Sequence, residues 1–416
     1  MTLVATRDDL VRGVCPTVSA PFATGDGGLI RVRLPGGHLS IEGLRGLAAA
    51  ADRTGHDLEL TSRANVQLRG FDDATLARAT VILTAAGLVA SAPLDDGRRN
   101  VLASPTAAAD VGNLVTRIAD LLAISTPAHV SPKLGVVVDG GERCSVGDRR
   151  DHIALQAVAE TGGLRGWAVT IDGAPRDRNL ATAVPCDAAI PAIERILDLF
   201  ATTRATSGAA LLAALGVSAI GAAMPDAFPV AAAPRAQPTT SPIGVVSQMG
   251  AVVTIGAAPV LGRLSSATAR TIADLLDSIS PVQLRVTPWR SVVVDIPIDA
   301  VDAVLAGFAD LGWATTADDP AVHVVACAGS IGCHAGVTDV QALGRSLVGA
   351  GRAGSTLRTP IHLTGCEKRC ASRDDSVWTV LGLDADTVRV VEPGGWPDLS
   401  RGPVLSVAAA TEHLGG

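Results

Sequence analysis

The sequence predicts a mixed α/β (α+β) protein built from two pseudo-symmetric halves. Three observations lead there. Strand-like alternation and helical periodicity interleave along the chain. One strand–turn–helix–strand unit occurs twice, near the start and again in the second half. A Pro- and Ala-rich stretch, residues 225–242, separates the halves and reads as a linker.

The first unit enters through Gly13-Val-Cys15-Pro16. Leu29-Ile-Arg-Val-Arg-Leu34 alternates like a strand and stops at Pro35-Gly-Gly37. Residues 39–54 have helical periodicity, with Ser40 as N-cap. A strand over 58–61 leads into Ser62-Arg63-Ala-Asn65-Val-Gln67-Leu-Arg69, and a helix follows over 73–86. The second unit follows the same plan from residue 252 to 294. Gly37-His-Leu39-Ser40 matches Gly262-Arg-Leu264-Ser265. Leu60-Thr61-Ser-Arg63 matches Val286-Thr287-Pro-Trp-Arg290, with one extra residue in the second copy. The expected division is 1–90 (first repeat), 91–224 (a larger α/β domain), 225–242 (linker), 243–312 (second repeat) and 313–416 (a second α/β domain).

Hydrophobic residues make up 48% and charged ones 18%, so a large core can form. Tyr is absent, and the low aromatic content argues against base-stacking platforms for nucleic acid. The formal charge of −7 favours neither nucleic acid nor an anionic membrane, so an anionic ligand needs a local group of cations. Arg far outnumbers Lys, which suits bidentate carboxylate recognition. The first ten residues hold acids and no apolar run of signal length, so the protein reads as cytoplasmic. The uncharged part of residues 205–225 is mostly Ala and Gly and reads as a buried helix rather than a membrane span.

The chemistry concentrates between Cys327 and Cys370. Cys327 and Cys333 have five residues between them, and Cys366 and Cys370 have three. An iron–sulfur cube needs four thiolates. Gly329 and Gly332 would let backbone N–H groups approach sulfur, and Cys366 and Cys370 would share one turn if a helix began there. Zinc knuckles are tighter than the first gap, and disulfides need an oxidising compartment. Two glycine-flanked pairs of unligated cysteines are not expected by accident, so the spacing favours a cluster. Cys15, Cys144 and Cys186 show no partner pattern and read as structural. His323, His334 and His362 form no two-His-plus-carboxylate pattern and read as packing or hydrogen-bonding residues. Gly349-Ala-Gly351-Arg-Ala-Gly354 fits a dinucleotide fingerprint but follows a helix and precedes a strand, the wrong order.

Cys-x5-Cys followed by Cys-x3-Cys resembles the cluster motif of the sulfite and nitrite reductase superfamily. That resemblance implies two ferredoxin-like half-domains related by a pseudo-twofold, with the active site at their junction. It implies a [4Fe–4S] cluster on Cys327, Cys333, Cys366 and Cys370. Three further segments stand in the order of the superfamily's tetrapyrrole- and anion-binding segments: Thr61-Ser-Arg63-Ala-Asn65-Val-Gln67, Arg98-Arg99-Asn100 and Pro132-Lys133. They imply that Arg63, Asn65, Gln67, Arg99 and Lys133 bind substrate carboxylates, the first three from one strand face. The reductases carry two lysines one residue apart at the third segment, and here the second position is Gly135. That departure, and the chain length, resemble the precorrin-3B synthase branch. Its members are O2-dependent monooxygenases that hydroxylate precorrin-3A with lactone formation. The branch implies a tetrapyrrole and O2 as substrates, and a non-haem iron besides the cluster. It also implies an external electron donor, ferredoxin or an NAD(P)H-linked reductase. The alternative is a sulfite or nitrite reductase carrying sirohaem. The motifs assign no catalytic residue.

Overall fold

Alternation along residues 27–32 divides a strand into two faces, and the rest of the first sheet follows that division. Ile30 and Val32 turn inward and are fully buried, while Arg31 faces the other way. The computed structural model describes residues 15–89, 96–160, 163–230, 241–280, 282–372, 374–395 and 401–415. Residues 231–240 of the expected linker lie outside them.

The first sheet uses β1 (Phe22–Thr24), β2 (Gly27–Val32), β4 (Leu58–Leu60) and β5 (Val66–Phe71) in the order β1-β2-β5-β4. Helices α1 (Ile41–Ala51) and α2 (Asp73–Ala85) belong to the same unit. The Ser40 hydroxyl accepts from Gly43 N and caps α1 as expected, and Asp72 with Thr75 forms a reciprocal capping box on α2. The second copy is built from β12 (Gly244–Met249), β13 (Val252–Ala257), β15 (Gln283–Val286), β16 (Val292–Pro297), α6 (Ser266–Asp277) and α7 (Val301–Asp310). Ser265 caps α6 by accepting from Thr268 N, as Ser40 does in the first copy.

The copies exchange edges. Strand β3 (His38–Leu39) pairs with β15 of the second sheet, and β14 (Arg263–Leu264) pairs with β4 of the first. The matched motifs found in the sequence are these crossing points. Gly37 has φ +78°, and a Cβ there would overlap Val286 O, so only glycine fits where the strands cross. The apolar faces of both sheets share one core with α1 and α6, in which Leu47, Leu58, Leu68 and Leu276 are at most 1% exposed. Each such leucine contributes about 1.5–3 kcal/mol.

The match at residues 60–63 needs one correction. Thr61 N donates to Asn65 O and Ala64 N to Thr61 O; Thr287 N donates to Ser291 O and Arg290 N to Thr287 O. Ala64 (φ +54°) and Arg290 (φ +56°) both take the left-handed conformation. The two turns therefore correspond with no extra residue: Ala64 matches Arg290, and Trp289 matches Arg63.

Between the copies stands a mixed sheet, β6 (Val101–Ala103), β7 (Val136–Asp139), β8 (Asp151–Glu160), β9 (Gly163–Gly173), β10 (Thr182–Pro185) and β11 (Phe228–Pro229), with β6, β7 and β8 parallel. Helices α3 (Ala109–Ser125), α4 (Ala189–Thr203) and α5 (Gly208–Ala222) join its core. Helix α5 is broken at Gly216 and buries only Gly208, Leu211, Ile220 and Gly221, so the run read as a buried helix is largely solvent-facing. Among the described residues no single helix is long and apolar enough to cross a membrane; residues 186–203 and 208–222 pass by length and composition only as a pair bent by 104°. The last sheet runs β17 (Val324–Ala326), β18 (Ile361–Thr364), β19 (Trp378–Gly382), β20 (Thr387–Val391) and β21 (Val404–Ser406), flanked by α8 (Val340–Arg352) and α9 (Val407–Leu414). Its first three strands are parallel. Gly349 and Gly351 lie inside the last turns of α8, so the dinucleotide-like string forms no phosphate loop.

Candidate functional site

Both cysteine pairs follow the C-terminal ends of adjacent parallel strands. Cys327 comes directly after β17, and Cys366 comes two residues after β18. Ligands in α/β sheets gather at that edge. Gly329 N and Gly365 N both point to Cys327 Sγ, at 3.4 and 3.3 Å; of the two glycines expected to approach sulfur only Gly329 does so here, and Gly365 takes the second place. The chain at Cys366 is a bend and turn, not a helix. Burial pushes the Cys366 thiol up to about 11, and Cys370, Cys327 and Cys333 add to the rise.

The cysteine loops sit on the polar face of the first sheet. Arg69 Nη1 on β5 donates to Gly332 O at 2.6 Å and to Asp26 Oδ2 at 2.8 Å, tying the loop to the sheet. Between loops and sheet lies a cavity of about 960 Å³, near the upper end of the usual range of about 300–1,000 Å³ for small-molecule sites. Its lining includes all four cysteines, Cys15, seven arginines (31, 33, 63, 69, 149, 150 and 290) and both lysines of the chain, Lys133 and Lys368. Glu59 is the one carboxylate among them. A chain of net charge −7 thus holds a strongly cationic interior.

Burial, with Arg33 beside it, brings Arg31 down to about 10, so it keeps its charge at neutral pH. Arg31 Nε donates to Gln67 Oε1 at 3.1 Å. Burial alone would raise Glu59, but Arg263, Arg69, Arg290 and Arg31 hold it below the usual carboxylate value. Arg149 lies over the Trp289 ring at 5.4 Å. Arg290 Nη2 donates to Ala371 O beside Cys370. On the matching face the second repeat closes its polar groups on one another, Arg285 pairing with Asp295 at 2.6 Å and Thr254 donating to Asp295 at 2.7 Å. Strand register places Gly256 opposite Val293 where the first repeat has Arg31 opposite Gln67.

Arg63, Gln67 and Lys133 line the cavity, together with the cysteines. Asn65 and Arg99 do not. The turn at Ala64 breaks the alternation expected of Arg63, Asn65 and Gln67, and Asn65 Oδ1 accepts from Leu34 N at 2.9 Å inside the fold. Arg99 Nη2 donates to Leu88 O at 3.1 Å and pairs with Asp96 at 3.3 Å, and it is Asn100 that reaches the cavity. Sequence reasoning passed over Arg31, Arg33 and Arg69. The signal was present: Arg31 and Arg33 are two apart in the predicted strand, and Arg69 is two beyond Gln67.

Gly135 has a physical reason. Arg63 Nη2 pairs with Asp151 Oδ2, and Asp151 is 5% exposed. A Cβ at position 135 would overlap that carboxylate and stand 2.5 Å from Asn100 Nδ2 and 2.8 Å from Arg63 Nη2. The ion pair occupies the space of a side chain.

Among the described residues no three His, Cys, Asp or Glu side chains converge to hold one metal ion, while four thiols line one cavity and three of them act electrostatically on the fourth, Cys366. The same finding leaves no ligand set for a mononuclear iron. Cys15 lines the cavity rather than a core; Cys144 is buried and Cys186 is exposed. His362 packs inside the last sheet, and its ring nitrogens find no hydrogen-bond partner among the described residues.

The family described as the nitrite/sulfite reductase ferredoxin-like half domain matches residues 21–86 and again 247–311. A precorrin-3B synthase from Sinorhizobium sp. is 27% identical over 380 residues, 89% of this chain and 81% of that protein. A ferredoxin–nitrite reductase from Synechococcus elongatus is 24% identical over 377 residues, 82% of this chain and 73% of the other. The structure of the Mycobacterium tuberculosis NirA protein matches with a TM-score of 0.69 over 93% of this chain and 79% of that one; at 20% identity this is a likeness of fold.

Proposed function

We propose, for a chain that belongs to the sulfite and nitrite reductase superfamily, that it acts as a precorrin-3B synthase. The reading is an O2-dependent hydroxylation of precorrin-3A with lactone closure onto a ring acetate. The observation that carries it is the shared cavity, whose lining brings four cysteines together with seven guanidinium groups.

Cys327, Cys333, Cys366 and Cys370 would hold a [4Fe–4S] cluster, which supplies one-electron transfer when bound. Gly329 N and Gly365 N would offset charge on the Cys327 sulfur. Arg31, Arg63, Arg149 and Lys133 would grip the macrocycle's carboxylates, and Gln67 would orient Arg31. Held at several points, the ring keeps its acetate and its reacting carbon in fixed register, the geometry that lactone closure needs. A monooxygenase sends one oxygen of O2 into substrate and the other to water, so an external donor, ferredoxin or a flavin reductase using NAD(P)H, is required. The described residues offer no site for a mononuclear iron, and no step is assigned to one.

A sulfite or nitrite reductase using sirohaem is the second reading, and the ferredoxin–nitrite reductase relative favours it in part. Gly135 argues against it. A small oxyanion needs a close set of cations, and here Asp151 offsets Arg63 where the reductases place a second lysine. The test is anaerobic reconstitution followed by precorrin-3A, reductant and O2. Formation of the hydroxylated lactone with O2 consumption supports the synthase. Tight sirohaem with sulfite or nitrite turnover, and no change in precorrin-3A, refutes it.

A further inference from the structure

Arg33 is the largest fully buried side chain among the described residues, at 1% exposure. It is also alone. Its Nε, Nη1 and Nη2 find no hydrogen-bond partner among the described residues. A charged group taken out of water without a partner is strongly unfavourable, and native folds leave such a group only where something else completes it.

The neighbourhood offers no relief. Arg31, two residues earlier, adds like charge. Glu59 is engaged by Arg263 at 3.1 Å and Arg69 at 3.9 Å, and Asp26 by Arg69 at 2.8 Å. Water can accept from N–H groups, but it brings no counter-charge. Arg33 lines the cavity, so the missing partner must enter there. A planar fork of N–H donors matches a carboxylate in two parallel bonds.

We propose that Arg33 is a carboxylate anchor, its fork reserved for one carboxylate of the molecule that fills the cavity. The proposal rests on the tetrapyrrole reading only for which molecule carries that carboxylate.

A residue of this kind sets stability against binding. Arg33→Met keeps the length of the side chain and removes the orphan charge. Wild type, R33M and R33K, each loaded with cluster, are compared by thermal unfolding without ligand and by titration with uroporphyrin I, an octacarboxylate. Mellitate, a polycarboxylate with no tetrapyrrole ring, and phosphate serve as controls. R33M is expected to unfold about 2 °C or more higher than wild type without ligand and to bind uroporphyrin I about tenfold or more weakly. R33K, with the charge but not the fork, falls between them in affinity.

A lower ligand-free midpoint for R33M with unchanged affinity makes Arg33 a structural residue and overturns the proposal. Loss of phosphate binding alone, with uroporphyrin I and mellitate unaffected, also overturns it by assigning the site to an inorganic anion. Mellitate binding that depends on Arg33, with no uroporphyrin I bound by any variant, supports the anchor while the tetrapyrrole reading fails.

Discussion

Replacing Asp151 by Ala takes away the partner that holds Arg63 in place. The Asp151 side chain is 5% exposed and that of Arg63 is 26% exposed. The carboxylate also accepts from His152 N at 2.8 Å. Removing one member of a buried pair costs about 3–5 kcal/mol. Arg63 is partly wet, so water replaces some of the loss, and about 2–3 kcal/mol remains. The assay is denaturant unfolding of D151A, R63A and the double variant. The double variant should recover about 1–2 kcal/mol relative to the sum of the singles, because the two side chains share one interaction. The acid profile gives an independent reading. Burial alone would raise Asp151, but the Arg63 guanidinium holds its carboxyl below the usual value. Its contribution to stability is therefore complete above the unfolded value of about 3.9 and fades as pH falls through the lower folded value. D151A should flatten that part of the curve. A D151A variant within about 0.5 kcal/mol of wild type, or strictly additive singles, would refute the view that this pair fills the space over Gly135.

Three further outcomes are expected. Ser in place of Cys327, Cys333, Cys366 or Cys370 should abolish bound iron and sulfide after anaerobic reconstitution, while C144S and C186S keep both; metal and sulfide analysis decides. Gly37→Ala forces a Cβ onto Val286 O at a left-handed position, so soluble yield should collapse or stability fall by more than about 3 kcal/mol, read by hydrogen exchange in β3 and β15. Burial, with Arg369 and Arg290 nearby, brings His362 down to about 3, so it stays neutral in the fold. The unfolded chain takes up a proton below about 6.5, so folding weakens as pH drops from there toward 3, and His362→Leu should remove that slope in an acid titration of the unfolding midpoint.

The sequence made the repeat and the cysteine loops legible for a shared reason. Both are written in local chemistry: glycines where only left-handed or side-chain-free backbone fits, serines where helices start, thiols at fixed spacing. Ser40, Ser265, Gly37 and Gly262 could be matched by eye because each answers to its own few neighbours. The cavity wall was harder. Arg63 and Asn65 look like members of one strand face, but the left-handed turn at Ala64 between them breaks the alternation, at a residue type that does not announce such a turn. Arg99 and Asn100 are adjacent in sequence, and only the carbonyl of Leu88 and the carboxylate of Asp96 decide which of them turns inward. Arg33 read as one more alternating residue, because burial of a whole strand face by distant loops cannot be seen in the strand.

The exchanged edge strands set a schedule for synthesis. Until Arg263 and Leu264 have left the ribosome, β4 lacks its neighbour and the first sheet ends in unpaired backbone. A nascent chain must therefore carry that open edge through the making of about two hundred more residues before it can close. Fragments cut between the halves should stick to one another or to copies of themselves, and the two halves expressed as separate polypeptides should find each other through those same crossings.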